Sequence, residues 1–255
     1  ITGYINGTQD TGLSRTLGAN IVYRGQHKNT IGVRTGSFGS YGYFSGAIDQ
    51  FRFYNTALSS SDVAALSNET ATTATTAAYP SGQTAIANYT MDTSANGLLN
   101  TQDLSTVNYP AGAGCLALYE MNGNSNDTSG TYNGVPTNIT YQGGAFDQAA
   151  VFNGSSSYID INNITGISGT SSQVSISAWF NFSGTSGDRF IISLRDGCLS
   201  EIGFNSGYSP RKLEFKIFDG GNKTVLVDES SITYNKWHHI VLTAESGGLL
   251  TAYLD

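Results

Sequence analysis

Paired carboxylates are the side chains of this chain that could break a glycosidic bond, and their spacing decides whether they can. Glycoside hydrolysis needs two carboxyls a few ångström apart, one acting as acid and the other as nucleophile or base. On a strand, residues two apart share a face and adjacent residues point opposite ways. Glu120, Glu201, Glu214, Glu229 and Glu245 each lack a second carboxylate two residues away, and Asp228 and Glu229 are adjacent. Along any single strand no catalytic pair forms, so the chain reads as non-catalytic. His238 and His239 follow Trp237 and also face opposite ways, with His27 the remaining histidine. A metal site or a nucleophile triad needs convergent partners that this spacing does not name. The glycine-rich run GSFGSYGYFSG at 36–46 lacks the lysine and the strand-to-helix setting of a phosphate loop, and reads as turns.

Binding is the other chemistry to test. A sugar site needs an aromatic platform ringed by hydrogen-bonding groups. Trp179 lies on the polar face of its run, and Tyr132, Tyr141 and Tyr208 sit near loops. Trp179, Tyr132 and Tyr208 are the carbohydrate-binding candidates, and no loop motif names a sugar. Asn-x-Ser/Thr triplets begin at Asn6, Asn68, Asn88, Asn126, Asn138, Asn153, Asn163, Asn181 and Asn222. They are glycosylation acceptors only in a source that glycosylates. Cys115 and Cys198 are too few for a zinc site or a disulfide framework; they either pair across two strands or stay free and buried.

The elements that would position these residues are short strands. Charged residues make up 12% of 255 positions, while Gly, Ser, Thr, Asn and Tyr are plentiful, which suits an all-β module rich in turns. A net charge of −7 and a pI of about 4.8 offer no basic footprint, so no nucleic acid partner is expected. No apolar run is long enough for a membrane span. The chain begins at Ile1 without methionine and reads as a piece of something longer, so a missing leader says nothing about secretion.

In QVSISAWFNF, Val174, Ile176, Ala178, Phe180 and Phe182 share one face, and Ser175, Ser177, Trp179 and Asn181 the other. LEFKIF and WHHIVLTA alternate in the same way, and IVYRGQ, TIGVRTG and IDQFRFY read as strands between glycines. Ser59 with Asp62 three residues on resembles a capping box opening a brief helix through Leu66. The run ETATTATTAA at 69–78 has no apolar periodicity and reads as a linker. Beyond it, YPSGQTAIANYTMDTSAN from Tyr79 aligns without gaps to YPAGAGCLALYEMNGNSN from Tyr109. Either a first strand occurs twice, with a spare one at 85–91, or two turn-flanked strands are alike by chance. TGYING at 2–7 and TAYLD at 251–255 also repeat one pattern, the mark of an internal repeat.

The stretch from Gly114 to Ile161 opens with an aromatic strand and continues through a D-x-S-G turn at Asp127 to Gly130. It ends in an F-x-x-A-x-x-F-x-G-x-x-x-Y-I run at Phe146 to Ile159. With SISAWFNF, NKWHHIVLTA and YFSGAIDQFRFYNTALSSSDVAAL, it resembles a LamG-like (laminin G type 3) jelly roll of the concanavalin A-like lectin and glucanase group. The wording of NGNSNDTSGTYNG and FDQAAVFNGSSSYI is similar to repeats in marine bacteriophage structural and fibre proteins. The resemblance covers all but about 69–112, and it implies a two-sheet antiparallel jelly-roll sandwich with the family order rotated. Residues 1–68 would supply the second half of one sandwich and 113–255 the first half of the next, joined by the linker at 69–112.

Some relatives in this group hold calcium at one rim, and Asp49 and Asp127 resemble those positions; Asp127 could equally be a plain Asx turn. No other cofactor is implied. A tryptophan at position 179 also marks the family scaffold. The resemblance thus implies an adhesive or structural module of an extracellular, cell-surface or virion appendage. Its expected partners are neighbouring copies of the repeat and surface glycans. The alternatives are a filament or coat subunit built by completing half-sandwiches between units and, less favoured, a glycan hydrolase.

Overall fold

A computed structural model describes residues 3–5, 8–10, 29–36, 39–67, 115–161, 164, 173–195, 199–218, 222–245 and 249–254. The linker and the spare strand at 85–91 lie outside these residues, as do Cys198, His27, Asn6, Asn68, Asn88 and Asn163.

Numbered in chain order, the strands fall into two sheets and a small hairpin. The larger sheet holds β1 (Gly3–Ile5), β2 (Thr8–Asp10), β6 (Ser45–Tyr54), β7 (Cys115–Tyr119), β9 (Thr140–Gly143), β10 (Gln148–Asn153), β12 (Gln173–Phe182), β17 (Trp237–Glu245) and β18 (Leu250–Leu254). Its order is β2-β1-β18-β17-β12-β6-β10-β9, with β7 also paired to β6. The second sheet runs β16 (Asn222–Asp228), β15 (Lys212–Phe218), β14 (Leu199–Asn205), β13 (Arg189–Arg195), β3 (Asn29–Ile31), β11 (Tyr158–Asp160) and β8 (Val135–Thr137). The hairpin is β4 (Arg34–Gly36) with β5 (Gly39–Tyr41). The architecture is all-β, a two-sheet jelly-roll sandwich.

The rotation of order is resolved inside one chain. Strand β6 pairs with β12, β10 and β7, and β3 lies between β13 and β11. Each sheet therefore takes a strand from before residue 67 and sets it between strands from beyond residue 115. Between the sheets lies the expected core: Val174, Ile176, Ala178, Phe180 and Phe182 are all buried against Ile202, Phe204, Leu213, Phe215 and Ile217 of the facing sheet. Phe182 stacks on Phe204 with ring centroids 4.1 Å apart. Burying one such side chain contributes about 1.5–3 kcal/mol.

On the polar face of β12, Ser175 and Ser177 are buried as well, and the neighbouring strands are covered by a helix. Helix α1 (Ser60–Ser67) packs Val63 and Leu66 onto Tyr54 and Val241. Its capping box forms as expected: the Ser59 amide donates to Asp62 Oδ2 at 3.0 Å, and the Asp62 amide donates to Ser59 Oγ at 3.2 Å.

One feature of β6 escapes a period-two reading. Gln50 stands at φ +46°, and the β6–β12 register shifts between Ser177 and Trp179. This bulge puts two residues against one and restores Phe51 and Phe53 to the core after Asp49. At the other end of β6, Gly46 has φ +145°, and a Cβ there would lie 2.0 Å from the Asn181 carbonyl oxygen. Backbone cannot yield as a side chain tip does. Gly46→Ala is expected to destabilise the sandwich by roughly 2–4 kcal/mol, read as a lowered urea midpoint with unchanged slope.

Candidate ligand-contacting face

Cross-strand register, rather than spacing along one strand, builds the charged cluster of this molecule. On β14, Glu201, Gly203 and Asn205 alternate with the buried Ile202 and Phe204; on β15, Glu214 and Lys216 alternate with Leu213, Phe215 and Ile217. Glu201 stands opposite Lys216 and Ser193, and Gly203 opposite Glu214. All therefore share the face of the seven-stranded sheet that points away from the core.

Glu201 takes two cations. Lys216 Nζ lies 2.8 Å from Oε2, and Arg34 Nε lies 2.5 Å from Oε1, with the Ser193 hydroxyl 3.5 Å from Oε1. Arg34 reaches over from the β4–β5 hairpin, where its guanidinium sits 5.0 Å from the Tyr41 ring centre and 5.2 Å from that of Phe190. Glu214 is on the diagonal from Glu201, a placement that brings two carboxylates to one face of adjacent strands. Spacing along a single strand does not reveal this pair; the alternation of each strand is its signal, and the β14–β15 register joins them. Glu201 is already committed to two cations, so the pair does not form a free acid and base.

Toward the rim the face opens. Asn205 Nδ2 donates to Glu214 Oε2 at 2.6 Å, while its Oδ1 accepts the Gly207 amide at 2.8 Å and shapes the turn that carries Tyr208. Tyr208 is half-buried; partial burial, together with the nearby Glu214 carboxylate, pushes its phenol above the ordinary range. Ser206 ties the turn to Asp188 through amide and hydroxyl bonds of 2.8 and 2.6 Å. Arg211 braces the same rim, donating to the Thr185 and Gly187 carbonyls at 2.7 Å each and pairing with Glu229. That guanidinium holds the Glu229 carboxyl below its usual range.

The other sequence candidates are dispersed. Trp179 is wedged between rings, 5.7 Å from Phe146 and 5.1 Å from His239, with its Nε1 buried and given no hydrogen-bond partner. It is a packed residue rather than an open platform. Tyr132 is half-buried against the core, and its carbonyl accepts the Tyr119 hydroxyl at 2.6 Å. Tyr141 bonds Ser125 at 2.6 Å. His239 Nε2 lies 2.9 Å from the Ser177 hydroxyl, both buried, while His238 contacts Thr233 on the opposite side of the strand. Asn126, Asn138, Asn153 and Asn222 are exposed, and Asn181 is half-buried on β12.

Asp49 and Asp127 belong to separate networks. Asp127 is buried; its Oδ1 accepts the Leu118 amide at 3.0 Å, and its Oδ2 accepts the Tyr132 amide at 3.2 Å and the Ser129 hydroxyl. This is the turn-holding role. Asp49, fully buried opposite Trp179, accepts the Phe146 amide at 2.8 Å through Oδ2 and leaves Oδ1 without a partner. Burial pushes its carboxyl up to about 7, against the pull of three backbone amides and Arg52. Glu120 is also raised by burial, with Arg52 opposing and Asp147 adding to the effect. The two aspartates share no hydrogen-bond partner, and among the described residues no three acidic, His or Cys side chains gather as a metal site.

Searches of curated proteins and of solved structures each found no match. A family model, described as the concanavalin A-like lectin/glucanases superfamily, matches residues 1–64 and 152–255, about two thirds of the chain. The match is narrower than the motif resemblance, leaving out β7 to β9 and most of β10. Its two segments contribute β6 and β12, which the fold places side by side. The chain belongs to the laminin G type 3 family of the concanavalin A-like lectin/glucanases superfamily.

Proposed function

We propose that this chain is a non-catalytic adhesive module of a cell-surface or virion appendage, and that it contacts glycans at the Tyr208 rim of the seven-stranded sheet. The observation that carries this reading is the setting of Tyr208: a half-buried ring fixed by the Asn205 turn beside the Glu214 carboxylate. The ring offers an apolar plate for a pyranose face, and the second Nδ2 hydrogen of the partly exposed Asn205, whose first is given to the buried Glu214, supplies a partner for its hydroxyls. Family membership supports it: concanavalin A-like domains often bind sugars, and laminin G-like domains are generally non-catalytic and typically extracellular. No described helix is long and apolar enough to cross a membrane. Pairing of β6 with β12, β10 and β7 inside one chain favours adhesion over a filament made of exchanged half-sandwiches.

The test is a glycan array followed by calorimetry on the best binder. Tyr208→Ala should weaken that binding about tenfold, or ~1.4 kcal/mol, without moving the thermal midpoint. Unchanged binding by this variant, or no binder at all for the unaltered chain, would reject the reading.

A further inference from the structure

Among the described strand pairs, one is parallel: β1 with β18. These two strands are also copies of each other in sequence. Ile1-Thr2-Gly3-Tyr4-Ile5-Asn6 repeats Leu250-Thr251-Ala252-Tyr253-Leu254-Asp255 position for position, with Thr and Tyr identical and the other four replaced by residues of the same kind. The sheet sets them together at that same offset, Tyr4 against Tyr253 and Ile5 against Leu254. Parallel, in-register pairing of like segments is what stacked copies of one strand produce.

The slot beside β17 is a demanding one. There β18 pairs antiparallel from Leu250 to Leu254 and buries Leu250, Ala252 and Leu254 in the core. The sandwich has one such slot, and the chain carries two strands whose residue pattern fits it. In addition, β1 brings a partner of its own: Gly3–Ile5 pairs antiparallel with Thr8–Asp10, Ile5 opposite Thr8, and the sequence between them is Asn-Gly, a dipeptide suited to two-residue hairpins.

We infer that the slot beside β17 is a strand-exchange site for a second copy of this chain, which β1 of one copy enters in place of β18 of the other, bringing β2 alongside. Exchange puts Ile5 in the place of Leu254 and Gly3 in that of Ala252, while the displaced β18 gives up its pairing with β1, so copy concentration decides its extent. The inference stands apart from the glycan reading, because β1, β2, β17 and β18 belong to the other sheet.

Geometry separates the two states. With β18 in place, Tyr4 and Val241 stand two strand spacings apart, about 9.6 Å, beyond the reach of a disulfide. After exchange, Tyr4 takes the position of Tyr253 and faces Val241 directly. Two chains, each with Cys115→Ser and Cys198→Ser, are made, one also with Tyr4→Cys and the other with Val241→Cys. They are unfolded together, refolded as a mixture and oxidised. The expected result is a covalent dimer of twice 27.0 kDa, with peptide mapping placing the link between positions 4 and 241. A folded mixture without that link overturns the inference when a single chain with Tyr4→Cys and Tyr253→Cys closes its own disulfide. Because Val241 packs against α1, light scattering on the unaltered chain is the second measurement. Dimers that grow with concentration support exchange, and a monomer throughout overturns it.

Discussion

Glu201→Ala is expected to lower the unfolding free energy by about 3–5 kcal/mol, as does removal of one member of other buried ion networks. The Glu201 side chain is wholly shielded, and it is the counter-charge for both Lys216, with 9% of its side chain exposed, and Arg34, with 17%. Deleting it leaves two like charges close together in a site that offers them little water. Lys216 is left in the worse position, since Arg34 keeps the Tyr41 and Phe190 rings beneath it. The expected pattern in urea unfolding at neutral pH is a large effect for Glu201→Ala and a smaller combined loss for Glu201→Ala with Lys216→Ala than the single changes sum to. An apolar pair, Glu201→Leu with Lys216→Leu, should recover much of the loss, because a buried ion pair is seldom more stabilising than well-packed hydrophobic groups. A loss under about 1 kcal/mol for Glu201→Ala would mean that the cluster is solvated like a surface pair, and the face above it would then be open to ligand across its width.

The contrast between this cluster and the core shows which part of the structure can be read along the chain. The face of β12 that packs inward, the helix at Ser60–Ser67 and its cap are local: each follows from residues two to four apart, and each is where the alternation or the capping pattern puts it. Glu201, Lys216 and Arg34 come from three strands, and Asp49 meets Trp179 across 130 positions of sequence. No period reaches that far. The bulge at Gln50 is hidden for a related reason, since a left-handed backbone at a glutamine is imposed by the strands on either side and has no local sequence signature. Of the three aromatic residues expected to contact sugar, Trp179 packs between rings, Tyr132 packs against the core, and Tyr208 stands on a turn whose neighbouring residues are exposed. All three are partly buried; what separates them is what each ring packs against, and that is set by the whole fold.

Asp49 makes stability depend on pH in the direction opposite to that of a salt-bridged acid. Its folded value of about 7 lies above the ordinary value of 3.8, so between these limits the folded chain holds a proton that the unfolded chain has released. Stability is therefore complete below about pH 4, falls as pH rises, and levels off above about 7. A shift of this size corresponds to at most about 4 kcal/mol, and relaxation around the charge should leave a measured loss of roughly 2–3 kcal/mol. Glu120, raised by the same burial, adds to the slope, while Glu229, held low by Arg211, loses its contribution as pH drops through its lowered folded value and bends the acid end the other way. Asp49→Asn keeps an oxygen to accept the Phe146 amide and removes the titration, so it should flatten the stability profile between pH 4 and 7. Trp179 gives a local reading of the same event, because Asp49 stands opposite it and Phe146, held by Asp49, packs on its ring. Its emission should titrate with a midpoint near 7 in the unaltered chain and not in Asp49→Asn, whereas a profile as steep in the variant as in the parent would assign the slope to Glu120. The physical point is that burial outweighs the turn's own hydrogen bonds: the three backbone amides favour the charged carboxyl, desolvation opposes it more strongly, and Asp49 therefore contributes most to stability in mild acid.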